Sequence, residues 1–282
     1  TDRHDGGPDA LLPVLQGLAE RRHDLSAERL GAVADATGAN DAQVAGVASF
    51  YSMLQGGAEG ATSIRICDGP VCMLQGASAL AEKVKKELEH ESRWRVQRTS
   101  CLGLCDRAPA ALVGSSACGP ITESMHDPVT ALVGGWHGRQ RDYPDPILGE
   151  HRVAMSRIGR IDPDLYTSAR RSGAYRTLEK ALANSPEMVL DEIERSGLRG
   201  CGGAGFPTGK KWRMVATANS AKKYVICNAD ESEPGAFKDR VLMENDPHLV
   251  LEGTMLAAYA VGATKGVIYV RGEYGQCASR LT

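Results

Sequence analysis

Apolar positions recur at helical spacing at the start of the chain, where Leu11, Leu12, Val14, Leu15 and Leu18 fall on one face. Ser26-Ala-Glu-Arg29 opens a second helix, and a third, from about Asp41 to Leu54, carries Val44, Val47 and Phe50. Residues 8–55 therefore read as a small helical bundle. From Thr62 the period changes. Ser63 to Cys67 reads as a strand with Ile64 and Ile66 on one face, followed by a helix from about Met73 to His90 and a strand from Trp94 to Arg98. Ala110 to Val113 and a stretch ending near Ile121 suggest a hairpin, and Val129 to Val133 a short helix. Helices packed on a sheet of four such strands give a thioredoxin-like outline.

The pattern breaks between residues 137 and 175. Pro144, Pro146 and Pro163, with Gly138, Gly149 and Gly159, predict an extended connector. Beyond it, Thr177 to Leu182 and Pro186 to Ser196 read as helices, the second with Ser185 as N-cap and Pro186 at its first position. Lys211 to Ala218 should be helical, Tyr224 to Asn228 a buried strand, and Met243 to Ala260 one long helix with Leu249, Leu251, Met255, Leu256 and Tyr259 in the core. The run from Gly266 to Tyr274 lacks alternation, which suits a parallel strand covered on both faces. The domain plan is a helical cap over 1–60, a thioredoxin-like domain over 61–136, a linker over 137–175 and an α/β domain over 176–282. Two strands make a marginal sheet, so this last domain reads as incomplete and in need of further polypeptide over Val267-Ile-Tyr-Val.

Composition narrows the function classes. With 282 residues there is room for two domains, and a net charge of -2 gives no case for nucleic acid. The polar N-terminus resembles no signal peptide, and the most apolar run, Leu249 to Val270, is interrupted by Glu252 and Lys265. Eight cysteines in such a chain predict metal ligands and buried thiols in a cytoplasmic protein, without membrane insertion.

The cysteines sit at strand ends. Cys67 and Cys72 form one pair and Cys101 and Cys105 another, four thiolates offered from two loops. That spacing serves a binuclear iron–sulfur cluster or a structural zinc equally well. Cys118 lies apart and reads as a packed thiol.

The second candidate is the stretch Leu198-Arg-Gly-Cys-Gly-Gly-Ala-Gly-Phe-Pro-Thr-Gly-Lys-Lys-Trp212. Its glycines, Gly200, Gly202, Gly203, Gly205 and Gly209, bare the backbone for close approach, and Lys210 and Lys211 follow at a helix start where an anion would suit them. A Walker A loop fails, because Ala204 stands at its first glycine and Lys211 at its hydroxyl. The dinucleotide fingerprint fails too, because a helix precedes the loop instead of a strand. A third candidate follows the strand at Tyr224: Asn-Ala-Asp-Glu-Ser-Glu, with three carboxylates in four positions that demand donors such as ribityl or ribose hydroxyls.

These motifs carry a resemblance across nearly the whole chain. Val-Ala-Ser-Phe-Tyr-Ser-Met, Ile-Cys-Asp-Gly-Pro-Val-Cys-Met and Ser-Cys-Leu-Gly-Leu-Cys-Asp-Arg-Ala-Pro-Ala resemble the cap and both cluster loops of the complex I subunit of about 24 kDa, which decides for a [2Fe-2S] cluster on Cys67, Cys72, Cys101 and Cys105. The glycine loop resembles RGRGGAGFPTGxKW of the complex I diaphorase subunit, with Cys201 for arginine, and Asn228 to Arg240 resembles NADExEPGTxKDR, with Ala236 for threonine. The resemblance implies FMN and NAD(H): Asn228, Asp230 and Glu231 at the flavin, Glu233 near the nicotinamide, Phe206 against the adenine, and Gly200, Gly202, Gly203 and Lys211 around phosphates, with Gly205 and Gly209 completing the loop. The fused order looks most like the β subunit of NAD-dependent formate dehydrogenase, then the diaphorase subunit of a soluble hydrogenase or of complex I, working with the other iron–sulfur and catalytic subunits of a larger oxidoreductase. A GAGAYICGEE-type segment and the cysteines of a [4Fe-4S] cluster, which family members carry further on, are not in this sequence. A non-catalytic electron relay that keeps its cluster and lacks a working flavin is the other reading.

Overall fold

A computed structural model describes residues 7–21, 25–54, 60–122, 125, 127–136 and 148–282. The chain folds as two units, one of Thr1–Gln140 with Ser232–Gly235 and one of Arg141–Glu231 with Ala236–Thr282. Much of the predicted connector, including Gly138, Pro144 and Pro146, lies outside the described residues.

The first unit opens with the bundle α1 (Leu11–Glu20), α2 (Ala27–Thr37) and α3 (Asp41–Phe50). Ser26 caps α2, and Asn40 with Gln43 forms a reciprocal capping box on α3, satisfying donors that a helix start leaves orphaned. Leu11, Leu15, Val33, Ala34, Val44 and Leu54 close the core of the bundle. Phe50 does not join it, since it lies 78% exposed at the end of α3.

The sheet that follows contains β1 (Thr62–Cys67), β2 (Trp94–Thr99), β3 (Ala111–Val113) and β4 (Ser116–Cys118) in the order β2-β1-β3-β4. β1 runs parallel to β2 and antiparallel to β3, with Ile64 opposite Val96 and Val113. Ile64 and Ile66 are buried against Leu80, Ala81 and Val84. The expectation of one buried face understates this strand, because Arg65 is also buried on the other side, donating to the Met53 carbonyl at 3.1 Å. The single helix expected from Met73 to His90 is two, α4 (Pro70–Leu74) and α5 (Ala77–Glu87), separated at Gly76, whose φ of 90° no helix accepts. α6 (Pro128–Val133) is capped by Asp127.

The second unit holds α7 (Tyr166–Arg171), α8 (Arg176–Leu182), α9 (Pro186–Ser196), α10 (Thr208–Ala216), β5 (Tyr224–Ala229), α11 (Lys238–Asn245), α12 (Pro247–Val261), β6 (Lys265–Val270) and α13 (Gly275–Leu281). α9 carries the Ser185 cap and N-terminal Pro186 that its sequence predicts, and ends at Gly197 in the left-handed region. The long helix expected over Met243–Ala260 is broken into α11 and α12, because Pro247 cannot continue a helix and Asp246 caps the new start by accepting from the Leu249 amide.

The pattern predicts buried leucines and a buried Met255 in α12, yet Met255 is 45% exposed and the buried positions include His248, Glu252, Ala257 and Ala260. The burial of Glu252 has a clear cause: its carboxylate accepts from the amides of Tyr175 at 2.8 Å and Leu178 at 3.1 Å, which fixes the start of α8. β5 and β6 pair in parallel as a two-stranded sheet with Ala229 opposite Val270. Cys227, Ala229, Ile268 and Val270 turn toward a small core with Met243 and Cys277. The opposite face is open among the described residues, with Tyr224 52%, Ile226 67%, Val267 49% and Tyr269 56% exposed, so these strands are covered there on one side and not on both as expected. Among the described residues no helix is long and apolar enough to cross a membrane.

Candidate functional site

In the first unit Cys67 ends β1 and Cys72 lies in α4, while Cys101 and Cys105 occupy the loop between β2 and β3. Backbone bonds tie the two loops together at the sheet end: the Cys67 amide donates to Ala110 O at 3.0 Å and the Asp68 amide to Thr99 O at 2.8 Å. None of the four is in a disulfide, and Cys101 Sγ lies 3.5 Å from Cys105 Sγ. Glycine amides serve three of the sulfurs, Gly69 to Cys67 at 3.4 Å, Gly103 to Cys101 at 3.4 Å and Gly235 to Cys105 at 3.2 Å. The fit at Gly69 is tight, since a Cβ there would stand 3.3 Å from Cys101 Cβ and 3.4 Å from Cys67 Sγ.

Within one pair the thiols shift each other's pKa. A hydrogen bond from Cys72, helped by the amides of Gly69 and Leu102 and opposed by burial, brings Cys67 down to about 6, and the same bond pushes Cys72 up. Burial raises Cys101 to about 11. Among the described residues no three Cys, His, Asp or Glu side chains close around one point at the reach of a single metal ion. The four thiols lie as two pairs with glycine amides on three of the sulfurs, a donor set that fits the thiolates of a binuclear cluster. Cys118 has another employment: it sits in β4 opposite Ala111, donates to Ala111 O at 3.3 Å, and burial raises its thiol to about 12.

In the second unit the glycine loop leaves α9 and enters α10, which packs with α9 against α12. Its neck is closed by the bridge between Arg199 and Pro207, by the Thr208 amide on Leu198 O at 2.8 Å and by the Gly200 amide on Phe206 O at 2.9 Å. Arg199 Nη1 adds a bond to Gly205 O at 3.1 Å. The tip is exposed, and it carries Cys201.

The glycines differ in what requires them. Gly203 and Gly205 take φ of 115° and 60°, where a side chain is strained. Gly209 is a packing glycine, because a Cβ would stand 2.6 Å from the Glu194 Cα where α10 crosses α9. Gly202 has neither reason: its φ is ordinary and a Cβ would meet nothing within 4 Å. An exposed backbone with space beside it, followed in the chain by Phe206, 45% exposed, and by the exposed Lys210 and Lys211, suits a phosphate-bearing aromatic ligand.

The acidic turn follows β5. Asn228 is exposed and accepts the Asp230 amide at 3.2 Å, and Asp230 is half-buried. Glu231 turns inward instead. Its carboxylate accepts from the amides of Asp239 at 2.7 Å and Arg240 at 2.9 Å and from the Tyr274 hydroxyl at 3.2 Å, and its φ is 49°. Glu233 is exposed within Ser232–Gly235, the short segment that belongs to the first unit.

Sequence reasoning missed Glu252 and the buried pair Arg240–Glu244, at 2.8 Å with side chains 1% and 8% exposed. A lone carboxylate inside the apolar α12 was the available signal for the first, and the i,i+4 spacing for the second.

Comparison with known proteins assigns both units. Residues 1–132 match the model of the thioredoxin-like [2Fe-2S] ferredoxin, and residues 193–282 that of the Nuo51 FMN-binding domain. The chain is 53% identical over 123 residues to an NADH-quinone oxidoreductase subunit of Aquifex aeolicus, covering 44% of this chain and 28% of that protein. It is 35% identical over 243 residues to the NAD-reducing hydrogenase HoxS subunit alpha of Cupriavidus necator, covering 80% of this chain and 40% of the relative. A crystal structure of NAD+-reducing [NiFe]-hydrogenase in the air-oxidized state superposes on all of this chain and 49% of its own, at a TM-score of 0.77 and 28% identity. The chain thus spans between about a quarter and a half of the length of these relatives. In one polypeptide it joins a thioredoxin-like [2Fe-2S] ferredoxin domain to a domain of the Nuo51 FMN-binding family.

Proposed function

We propose that the chain is part of a diaphorase-type electron-transfer subunit, cytoplasmic, that exchanges a hydride between NAD(H) and FMN and passes single electrons through iron–sulfur centres to or from partner subunits. The observation that carries this reading is the pair of sites in one chain: thiol pairs with glycine amides on their sulfurs, and an exposed glycine loop whose Gly202 is explained by neither packing nor backbone strain. FMN, when bound, supplies the conversion between the electron pair of nicotinamide and the single electrons of a cluster.

The residues bind and orient. The amides of the Gly200–Gly205 loop and Lys211 take phosphates, Phe206 offers a ring face to the adenine, and Asn228 and Asp230 take polar groups of the flavin. Glu231, its carboxylate committed to α11, shapes the turn. Cys67, Cys72, Cys101 and Cys105 hold the cluster. A proton need not be moved by any of these side chains. Two terminal partners suit the fused order, a formate dehydrogenase, which that order favours, and a hydrogenase such as the one whose structure superposes on the whole chain.

Protein reconstituted with FMN and assembled with its partners should reduce an artificial dye from NADH, and should prefer NADH to NADPH. Glu233 is the reason proposed for that preference, since a carboxylate about 4 Å from a 2′-phosphate repels it by on the order of 1–4 kcal/mol in partly screened surroundings. Glu233→Gln is expected to narrow the ratio of the two specificity constants, and an unchanged ratio removes Glu233 from the role. Cluster absorption with no flavin band and no dye reduction would instead support the relay reading.

A further inference from the structure

The flavin reading leaves one buried group unused. Arg271 and Tyr274 follow β6 directly, as Asp230 and Glu231 follow β5, and the two strands run parallel with Ala229 opposite Val270. Both short segments therefore leave the same carboxyl edge of the sheet, where α/β proteins hold their ligands.

At that edge Arg271 Nη1 donates to the Glu231 carbonyl at 3.3 Å, while Nε and Nη2 fork onto the Glu273 carboxylate at 3.0 and 2.8 Å. The guanidinium lies over the Tyr274 ring, 5.4 Å from its centroid, and is 8% exposed. Tyr274 is 2% exposed, and its hydroxyl donates to Glu231 Oε2 at 3.2 Å. The carboxylate charge of Asp230 acts on the same guanidinium. Glu231 is thus gripped at its carbonyl by Arg271 and at its carboxylate by Tyr274 and α11, in a left-handed conformation that a glutamate rarely adopts and that only surrounding contacts can enforce.

We propose that Arg271, locked by Glu273 and Tyr274, is a positioning residue for the flavin: it holds the Glu231 turn so that Asn228 and Asp230 present their polar groups in a fixed orientation. The inference rests on the flavin reading. A lysine keeps the charge at 271 and cannot form the fork on Glu273 while reaching the Glu231 carbonyl.

The test uses the full-length protein titrated with FMN, with the visible circular dichroism of the saturated flavin as a second readout. Arg271→Lys should weaken FMN binding at least tenfold and change the flavin dichroism, because the turn it holds is free to reorient. Tyr274→Phe, which removes only one hydrogen bond to Glu231, should change both readouts in the same direction and by less. Arg157→Lys is the control. It breaks a bidentate pair with Asp246 of the same kind and in the same unit, at 2.8 and 3.0 Å, away from the turn, and should leave both readouts unmoved. FMN affinity within twofold of the parent and unchanged dichroism in Arg271→Lys and Tyr274→Phe would overturn the proposal, as would an equal loss in Arg157→Lys. A parent protein that binds no FMN would fail at the flavin reading itself, before any variant is compared.

Discussion

Replacing Cys101 by Ser should abolish or strongly alter the paramagnetic signal of the reduced cluster, whereas Cys118→Ser should leave it intact. Cys101 shares its loop with Cys105, 3.5 Å away sulfur to sulfur, and its sulfur receives the Gly103 amide. An alkoxide in its place is a harder, more basic ligand set in an amide environment shaped for sulfur. Cys118 gives its S–H to Ala111 O in the sheet, a bond that a serine hydroxyl can make as well. Low-temperature electron paramagnetic resonance of dithionite-reduced protein reads both variants. One equivalent of zinc per chain with no iron, in the parent protein, would sink the cluster assignment.

Gly202→Val should cost FMN binding at least a factor of ten, about 1.4 kcal/mol, without lowering the thermal midpoint. A Cβ added at Gly202 meets no atom within 4 Å beyond its chain neighbours and the backbone there is ordinary, so folding has no reason to object. Gly203→Ala should differ by losing both. Its φ of 115° imposes strain on any side chain, worth about 1–3 kcal/mol of stability, in addition to obstructing the loop. Parallel titrations and melting curves separate the two effects. A Gly202→Val protein that binds FMN as tightly as the parent would show that the loop is not the ligand cradle.

The sequence is most legible where one local rule decides the outcome. Ser185 and Pro186 announce α9, the change from helical to strand period marks β1, and paired cysteines at strand ends mark the cluster loops. It misleads where a local break opposes a longer period. The apolar run across 243–260 conceals the stop at Asp246-Pro247, and Gly76 hides inside the expected helix after Cys72.

Side-chain destinations are the least legible. Resemblance places Glu231 at the flavin, and only the fold shows its carboxylate committed to two amides of α11 and to Tyr274. Arg271 and Glu252 act across 40 and 77 residues of sequence, on Glu231 and Tyr175, distances over which no pattern in a single sequence connects partners. The burial of β5 and β6 is misjudged because an unbroken apolar run reads the same whether its second face is covered within the chain or by polypeptide added to it. Here Ile226 and Val267 stand open among the described residues.

The central claim, that nicotinamide, flavin and cluster are in redox contact within this protein and its partners, is tested most directly by an anaerobic optical titration with NADH after reconstitution with FMN. The account predicts that substoichiometric NADH bleaches the yellow flavin band and that the cluster absorption and its paramagnetic signal then respond as electrons are drawn singly from the flavin. Flavin and cluster bands that stay unchanged with NADH in excess, in protein shown to contain both groups, would contradict it.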